Sequence, residues 1–271
     1  MNRIEIADLL YDNLYKNKEK LKQQFVESSN KIGFFYLDNL LPKDIALLIY
    51  KSFPDVKETV ERNSLREHKF TAFQMDKYNA ILEEVIYSFQ EPKIVDLVSK
   101  ICDFKEISAD KNLYAGGLSL MVKDNFLNPH LDNSHDKDRN KWRVLNLLYY
   151  VTPNWQQDFG GNLEIWPNGL KEKQTTIESK FNRLVVMATH QKSWHSVSKV
   201  TADNVRCCVS NYYFSEKALL PSDSFHVTTF RGRPKEKMKD IALQLDNKIR
   251  SAVRVLFKKG VRENPHQYKK K

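Results

Sequence analysis

The chain has 271 residues, 41% of them hydrophobic and 29% charged, and it carries 15 Phe, 12 Tyr and 4 Trp. That much apolar and aromatic material excludes a disordered polypeptide and fits one domain with helical additions. The N-terminus turns polar at once and no run approaches the ~18 apolar residues of a bilayer span, so no signal peptide or membrane anchor is expected and a cytoplasmic setting is the simplest.

The net charge of +10 is unevenly placed. Lys248 to Lys271 holds nine Lys or Arg and one acid, Glu263, which leaves the body of the chain nearly neutral. Such a stretch can meet an acidic partner or an anionic surface, but the simplest expectation is a solubilising helix end and a frayed terminus. No zinc finger or aromatic-bearing RNA-binding motif accompanies the charge, so nucleic acid is not the expected partner. The cysteines, Cys102, Cys207 and Cys208, do not make a disulfide framework. They read as buried free thiols, with Cys207 and Cys208 on opposite faces of a strand.

In chain order, residues 3–29 read as one helix with Ile6, Leu9, Leu10, Leu14, Leu21 and Phe25 as its apolar stripe. Gly33 to Leu37 is a short aromatic strand. Pro42 opens a helix over about 43–53, residues 54–75 are polar enough for a loop, and helices follow over 78–89 and 92–101. From about residue 112 the period becomes that of strands. Leu113 to Val122 contains Gly116-Gly117, which marks a bulge or a close backbone approach. Arg143 to Val151, Asn162 to Trp166, Leu184 to Ala188 and Val205 to Phe214 are further strands, cut by turns at Pro153-Asn154, Gly160-Gly161 and Pro167-Asn168-Gly169. Short strands between such turns predict a sandwich or barrel rather than a parallel sheet. After Pro234 a helical stripe returns in Met238, Ile241, Leu245, Ile249, Ala252 and Leu256, with Gly260 as its stop. The expected layout is one domain: a helical region with a strand over 1–104, a β core over 105–215, a helix over 235–260 and a basic tail over 261–271.

Three groups of residues carry chemistry. His130-Leu131-Asp132 puts an imidazole and a carboxylate on one face of an extended segment. His195 would complete a 2-His-1-carboxylate set, which takes one face of an octahedral ion and leaves positions open. A structural zinc site would need a fourth ligand, whereas a hydrolytic zinc with three ligands and a water fits the triad as well. Arg206, eleven residues beyond His195 in an apolar strand, is costly there unless an anion meets its donor fork. His190 competes with His195 as a ligand, and His135 reads as a rim residue.

These elements, in this order, resemble the 2-oxoglutarate and Fe(II)-dependent oxygenase superfamily, in particular its prolyl-4-hydroxylase-like branch. Asp158-Phe159-Gly160-Gly161-Asn162-Leu163-Glu164-Ile165-Trp166, Asn182-Arg183-Leu184-Val185-Val186-Met187 and Gly33-Phe34-Phe35-Tyr36-Leu37 add to the likeness, which covers about residues 30–215. The resemblance implies a double-stranded β-helix, a jelly-roll barrel with flanking helices. It also implies Fe(II) on His130, Asp132 and His195, 2-oxoglutarate as cosubstrate on Arg206 with a contact from Asn146, O2 as oxidant and ascorbate as a stimulant. The implied reaction hydroxylates an unactivated carbon. In the prolyl-hydroxylase branch the position of Arg206 is often lysine, which weakens the case for a peptidyl proline; the charged loop 123–142 points to a small polar metabolite or biosynthetic intermediate, with a protein or peptidyl hydroxylase as the alternative of the same chemistry. Asp132 is a carboxylate, which disfavours halogenation. The loops 54–76, 123–142 and 154–168 are expected to shape the pocket, where Trp142, Trp155 and Trp166 could line its mouth. The rival from another class is a non-catalytic β-barrel binding protein that recruits an acidic partner through its tail.

Overall fold

The computed structural model describes residues 1–114, 116–257 and 267–269. Helices α1 (Arg3–Lys16) and α2 (Lys18–Ser28) precede strand β1 (Phe34–Asp38) and helix α3 (Lys43–Lys51). Strands β2 (Val60–Asn63) and β3 (Glu67–Ala72) lead to helices α4 (Ala80–Ser88) and α5 (Pro92–Cys102). The β core then runs through β4 (Ile107–Ala109), β5 (Gly117–Met121), β6 (Phe126–Leu131), β7 (Trp142–Tyr150), β8 (Leu163–Ile165), β9 (Thr175–Ile177), β10 (Arg183–Ala188), β11 (His195–Val197), β12 (Arg206–Ser215) and β13 (Thr229–Phe230). Helix α6 (Lys237–Leu256) follows.

The strands form a curled antiparallel sheet in the order β1-β10-β7-β12-β5-β3-β6-β11-β8-β9. Its long strands are buried on both faces, which is why they read as continuous apolar runs instead of alternating ones. Parity still separates the two environments. Leu145, Leu147, Tyr149, Leu184, Val186, Cys207 and Val209 pack outward with Leu10, Leu14, Leu82, Val85, Leu97 and Ile101 of the helices. Tyr150, Val185, Met187 and Cys208 face inward with Leu163 and Ile165 of β8. Cys207 and Cys208 thus lie on opposite faces as expected, and all three cysteines are free and buried. The helices over the first hundred residues therefore act as an outer wall for the barrel.

Four expectations are corrected. The single helix over 3–29 is two, because the Asn17 side chain donates to the Asn13 carbonyl at 2.8 Å and competes for the backbone acceptor. The loop over 54–75 contains the hairpin β2–β3. Its residues are half-buried at most until Thr71, so no clean alternation marked them. β3 pairs with both β5 and β6 and joins the two halves of the curled sheet. The stripe of α6 is present, yet Met238, Ile241, Leu245 and Ile249 are exposed while Leu243 and Asn247 face the body. The frayed terminus is the fourth. Most of the basic tail, and Gly260, lie outside the described residues, but Tyr268 is buried, its ring is 6.2 Å from that of Tyr87, and its N–H donates to the Asn112 carbonyl at 2.8 Å.

Gly117 meets the expected close approach: with φ at +126°, a Cβ there would fall 2.5 Å from the Ala72 carbonyl oxygen of β3. No helix among the described residues is long and apolar enough to cross a membrane.

Candidate metal and cosubstrate site

Sheet register assembles the triad. In the β11–β6 ladder His195 stands opposite His130, and their ring centroids are 4.1 Å apart. Asp132 follows β6 on the same side of the chain. One carboxylate oxygen, Oδ1, is 3.6 Å from His130 Nε2, and the other is 3.5 Å from His195 Nε2. Among the described residues, no other group of three or more His, Cys, Asp or Glu gathers its ligand atoms so closely, within 4.8 Å.

The tautomers are set by the backbone. Each Nδ1 lies 2.9 Å from the carbonyl oxygen two residues upstream, Asn128 for His130 and Ser193 for His195. A carbonyl only accepts, so Nδ1 carries the proton and the Nε2 lone pair is left toward Asp132. Burial, and then the charge of His195, push His130 down to about 3 although Asp132 opposes them. Burial pushes Asp132 up, but Arg143, His195 and His130 together hold its carboxyl below the usual range. A neutral imidazole and an ionised carboxylate are the donor chemistry of a borderline divalent ion.

The surroundings fix these groups in place. Phe230 of β13 stacks on His130 at 5.2 Å. Behind His195, Ser196 donates to Glu164 at 2.7 Å, Trp166 donates to Ser196 at 2.8 Å, and Arg233 pairs with Glu164 at 2.8 Å. Asn146 donates to Asp132 Oδ2 at 2.6 Å, while its own Oδ1 is buried without a partner among the described residues. Asn146 therefore orients the carboxylate and still offers an acceptor to the cavity.

Arg206 opens β12 and shares its inward face with Cys208, Ser210 and Tyr212. It is 3% exposed. Its guanidinium lies 4.7 Å above the Tyr150 ring, and Nε donates to the Ser179 hydroxyl at 3.3 Å. Among the described residues no carboxylate comes within ion-pair distance of it. A buried cation without an anion costs several kcal/mol, on the order of what a bound carboxylate would return. Gly160 and Gly161 allow the chain to pass beside it. A Cβ on Gly160, at φ +70°, would sit 1.9 Å from the Lys199 carbonyl oxygen, and one on Gly161 would be 3.3 Å from Arg206 Cδ.

His130, Asp132, Asn146, His195 and Arg206 all line one cavity of about 320 Å³. The hairpin β2–β3 reaches it with Arg62, Arg66, Glu67, Lys69 and Thr71, in keeping with a pocket-shaping role for 54–76, whereas only Leu163 comes from the segment 154–168. His190 stands apart from the triad and accepts from the Lys192 N–H at 3.1 Å. His135 is buried instead of standing at the rim, with its ring 6.0 Å from Phe225. Trp142 stacks on Phe225 at 4.1 Å, while Trp155 and Trp166 are core residues.

Sequence reading passed over Arg143. Arg143 begins the apolar run Arg143 to Val151, is 4% exposed and lies 3.5 Å from Asp132. The cost of burying a cation, which singled out Arg206, would have found Arg143 too.

Residues 116–214 match the model of the 2OG-Fe(II) oxygenase superfamily. No curated protein matches the sequence. Three similar solved structures are a Trichoplax adhaerens prolyl hydroxylase in complex with a hypoxia-inducible-factor peptide, prolyl 4-hydroxylase from Phytophthora capsici, and HygX from Streptomyces hygroscopicus with nickel and 2-oxoglutarate bound. The first is 22% identical, with a TM-score of 0.52 over 74% of this chain and 92% of that one. The second is 15% identical, with a TM-score of 0.56 over 92% and 77%. The third is 10% identical, with a TM-score of 0.50 over 70% and 86%. At these identities the likenesses speak to the fold alone: the curled sheet with its flanking helices is a jelly roll.

Proposed function

We propose that this chain, whose β core belongs to the 2OG-Fe(II) oxygenase superfamily, hydroxylates an unactivated carbon of a small polar metabolite or biosynthetic intermediate. Enzymes of the family use Fe(II), 2-oxoglutarate and O2. Here His130, Asp132 and His195 would hold the iron through Nε2 and carboxylate oxygens already turned toward one another. Arg206 would receive the distal carboxylate of 2-oxoglutarate, with Asn146 at its side. With Fe(II) and 2-oxoglutarate bound there, O2 would be the oxidant, taking two electrons from 2-oxoglutarate, which would leave as succinate and carbon dioxide, and two from the C–H bond that is hydroxylated.

The observation that carries the reading is Arg206, a buried guanidinium without a carboxylate partner among the described residues, in the cavity that holds the triad. Its fork matches a carboxylate bidentately. The chain's own contribution is positional: carbonyls of Asn128 and Ser193 fix the imidazole tautomers, Asn146 and Arg143 orient Asp132, and the aromatic wall of Tyr150 and Phe230 limits water around the site. A cavity of about 320 Å³ is of the order that encloses a small molecule, which favours a metabolite over a peptide. The three buried, free thiols suit a reducing, cytoplasmic setting.

Aerobic incubation with iron, ascorbate and 2-oxoglutarate should release succinate, and the wild type should bind 2-oxoglutarate to its Fe(II) form without oxygen. A barrel that only binds a partner would do neither. Tightly held zinc supporting hydrolysis without iron would refute the oxygenase reading.

A further inference from the structure

The cavity holds more positive charge than iron and 2-oxoglutarate use. Six of its lining side chains are Lys or Arg, and two, Glu67 and Asp132, are acidic. Fe(II), the 2-oxoglutarate dianion, Asp132 and Arg206 together come to neutrality. That leaves Arg62, Arg66, Lys69, Arg143 and Arg250 facing the cavity with Glu67 as the one acid in its wall.

Among the described residues, the carboxylates paired with Arg66, Lys69, Arg143 and Arg250 are fewer than those four cations. Lys69 is 3.0 Å from Glu67, and Asp246 serves two arginines, Arg250 at 2.9 Å and Arg66 at 3.7 Å. Arg143 lies 3.5 Å from Asp132 and rests 4.2 Å over the Tyr212 ring; its buried Nε has no hydrogen-bond partner among the described residues. Arg250 is held in position by the Thr228 carbonyl at 2.7 Å and Asn247 Oδ1 at 2.6 Å. A second cavity of about 470 Å³ shares Arg66 and Arg250 with the first, adds Arg254, and has no acid among the described residues that line it. These cations come from three separate elements, β2–β3, β7 and α6, and they converge on one concavity. That is a different arrangement from the solvated charges of a single helix face. Low-dielectric walls lined by one sign of charge concentrate ions of the other sign.

Resting on the oxygenase reading above, we infer that the substrate is an anion, a metabolite whose phosphate or carboxylate group seats on Arg62, Lys69 and Arg250 while the rest of it extends toward the triad. Guanidinium forks recognise both groups through paired charge-assisted hydrogen bonds.

The test is calorimetry without oxygen on the Fe(II) protein saturated with 2-oxoglutarate. The probes are inorganic phosphate, glycerol 3-phosphate, the carboxylate glycerate, and neutral glycerol. At least one anion should bind alongside 2-oxoglutarate, about tenfold or more tighter than glycerol. Glycerol 3-phosphate against glycerate then identifies which group the site prefers. Lys69→Gln and Arg62→Gln, both at half-buried positions, should each weaken the bound anion several-fold and their combination more than tenfold. Arg250→Gln should do the same, and the first two variants keep the test valid if α6 loosens. No anion binding in a protein that does bind 2-oxoglutarate would overturn the inference and leave the oxygenase reading standing. The same follows if 2-oxoglutarate displaces the anion, which would place it on Arg206, or if these variants bind it as the wild type does. Failure to bind 2-oxoglutarate at all would remove the oxygenase reading, and the inference with it.

Discussion

Arg183 and Arg206 are each the first residue of a strand, β10 and β12, in the same sheet, and both are buried. Their surroundings differ. Arg183 meets Asp38 of β1 through two hydrogen bonds, 2.5 Å and 3.0 Å, donates to the Glu178 carbonyl, and lies 4.6 Å over the Tyr36 ring. Arg206 also lies over a tyrosine, but it faces a hydroxyl and a thioether where Arg183 has a carboxylate. A buried arginine with its anion built in is part of the fold. On the function proposed above, Arg206, which has none among the described residues, is the receptor for an anion that arrives later. The residue type and the position in the strand are shared, so only the partner distinguishes structure from function.

The largest effect should come from the triad that, on the proposed function, makes the Arg206 cavity a reaction site. His130→Ala, Asp132→Ala and His195→Ala should each lower succinate release at least about 100-fold and weaken Fe(II) binding sharply, because each would remove one of the three proposed ligands. Full activity in His195→Ala would mean that the distal ligand is another residue, with His190 the first to try.

Next in size is Arg206 itself. Arg206→Ala should leave Fe(II) binding nearly unchanged and weaken 2-oxoglutarate by about 10- to 150-fold, the equivalent of roughly 1.5–3 kcal/mol for hydrogen bonds to a charged group. Arg206→Lys should recover part of the loss, keeping the charge without the fork. Thermal unfolding gives a second readout. 2-Oxoglutarate with metal should raise the Tm of the wild type and not that of Arg206→Met, whereas without ligand Arg206→Met should be as stable as wild type or more so. Equal 2-oxoglutarate affinity in wild type and Arg206→Ala would remove this role. Lys199 and Arg183, which do not line the cavity, are already engaged, Lys199 by Asp124 at 2.6 Å and Arg183 by Asp38.

Arg183→Gln should behave in the opposite way. It should lose about 1–3 kcal/mol of stability in urea unfolding, because the half-buried Asp38 is left without its main partner. Its 2-oxoglutarate affinity should stay within about twofold of wild type, since Arg183 does not line the cavity. An Arg183 variant with normal stability and weakened cosubstrate binding would reverse the assignment of the two arginines.

The same contrast explains what could be read from the sequence. His130, Asp132, His195 and Arg206 could be singled out because polar and charged side chains in apolar strands violate the local pattern, and the structure brings all four to one cavity. The partner of Arg183 was not legible: Asp38 is 145 positions away and meets it only through the β1–β10 register. Long-range pairing also hid β2 and β3, whose half-exposed residues find partners in β5 and β6. Arg62, Lys69 and Arg250 could not be grouped for the same reason, since they come together only when the hairpin and α6 close on the barrel. The exposed stripe of α6 shows the limit from the other side, because helical periodicity identifies an apolar face without saying what will cover it.

The smallest effect, and the one most specific to the built-in pair, is a dependence on acid. Burial pushes the Asp38 carboxyl up, but hydrogen bonds and charge from Arg183, with Lys180 adding to them, prevail and hold it below the ordinary value. A group whose pKa is lower folded than unfolded binds more protons when unfolded in the window between the two values. Its contribution to stability is therefore fully present above the unfolded value of about 3.9 and is lost as pH falls through the folded one. Measured by urea unfolding at a series of pH values, wild type should exceed Asp38→Asn by a constant margin near neutrality, and the margin should shrink below about pH 4. In Arg183→Gln the charge that lowers the Asp38 pKa is gone, so substituting Asp38→Asn in that background should produce little or none of this acid-limb difference. Arg206→Met in the ligand-free protein should leave the margin as it is in wild type, because no carboxylate of the described residues is bound to that guanidinium. A margin that persists unchanged into strong acid would mean that Asp38 stabilises the fold by packing and neutral hydrogen bonds instead of charge. The distinction between the two arginines would then rest on cosubstrate affinity alone.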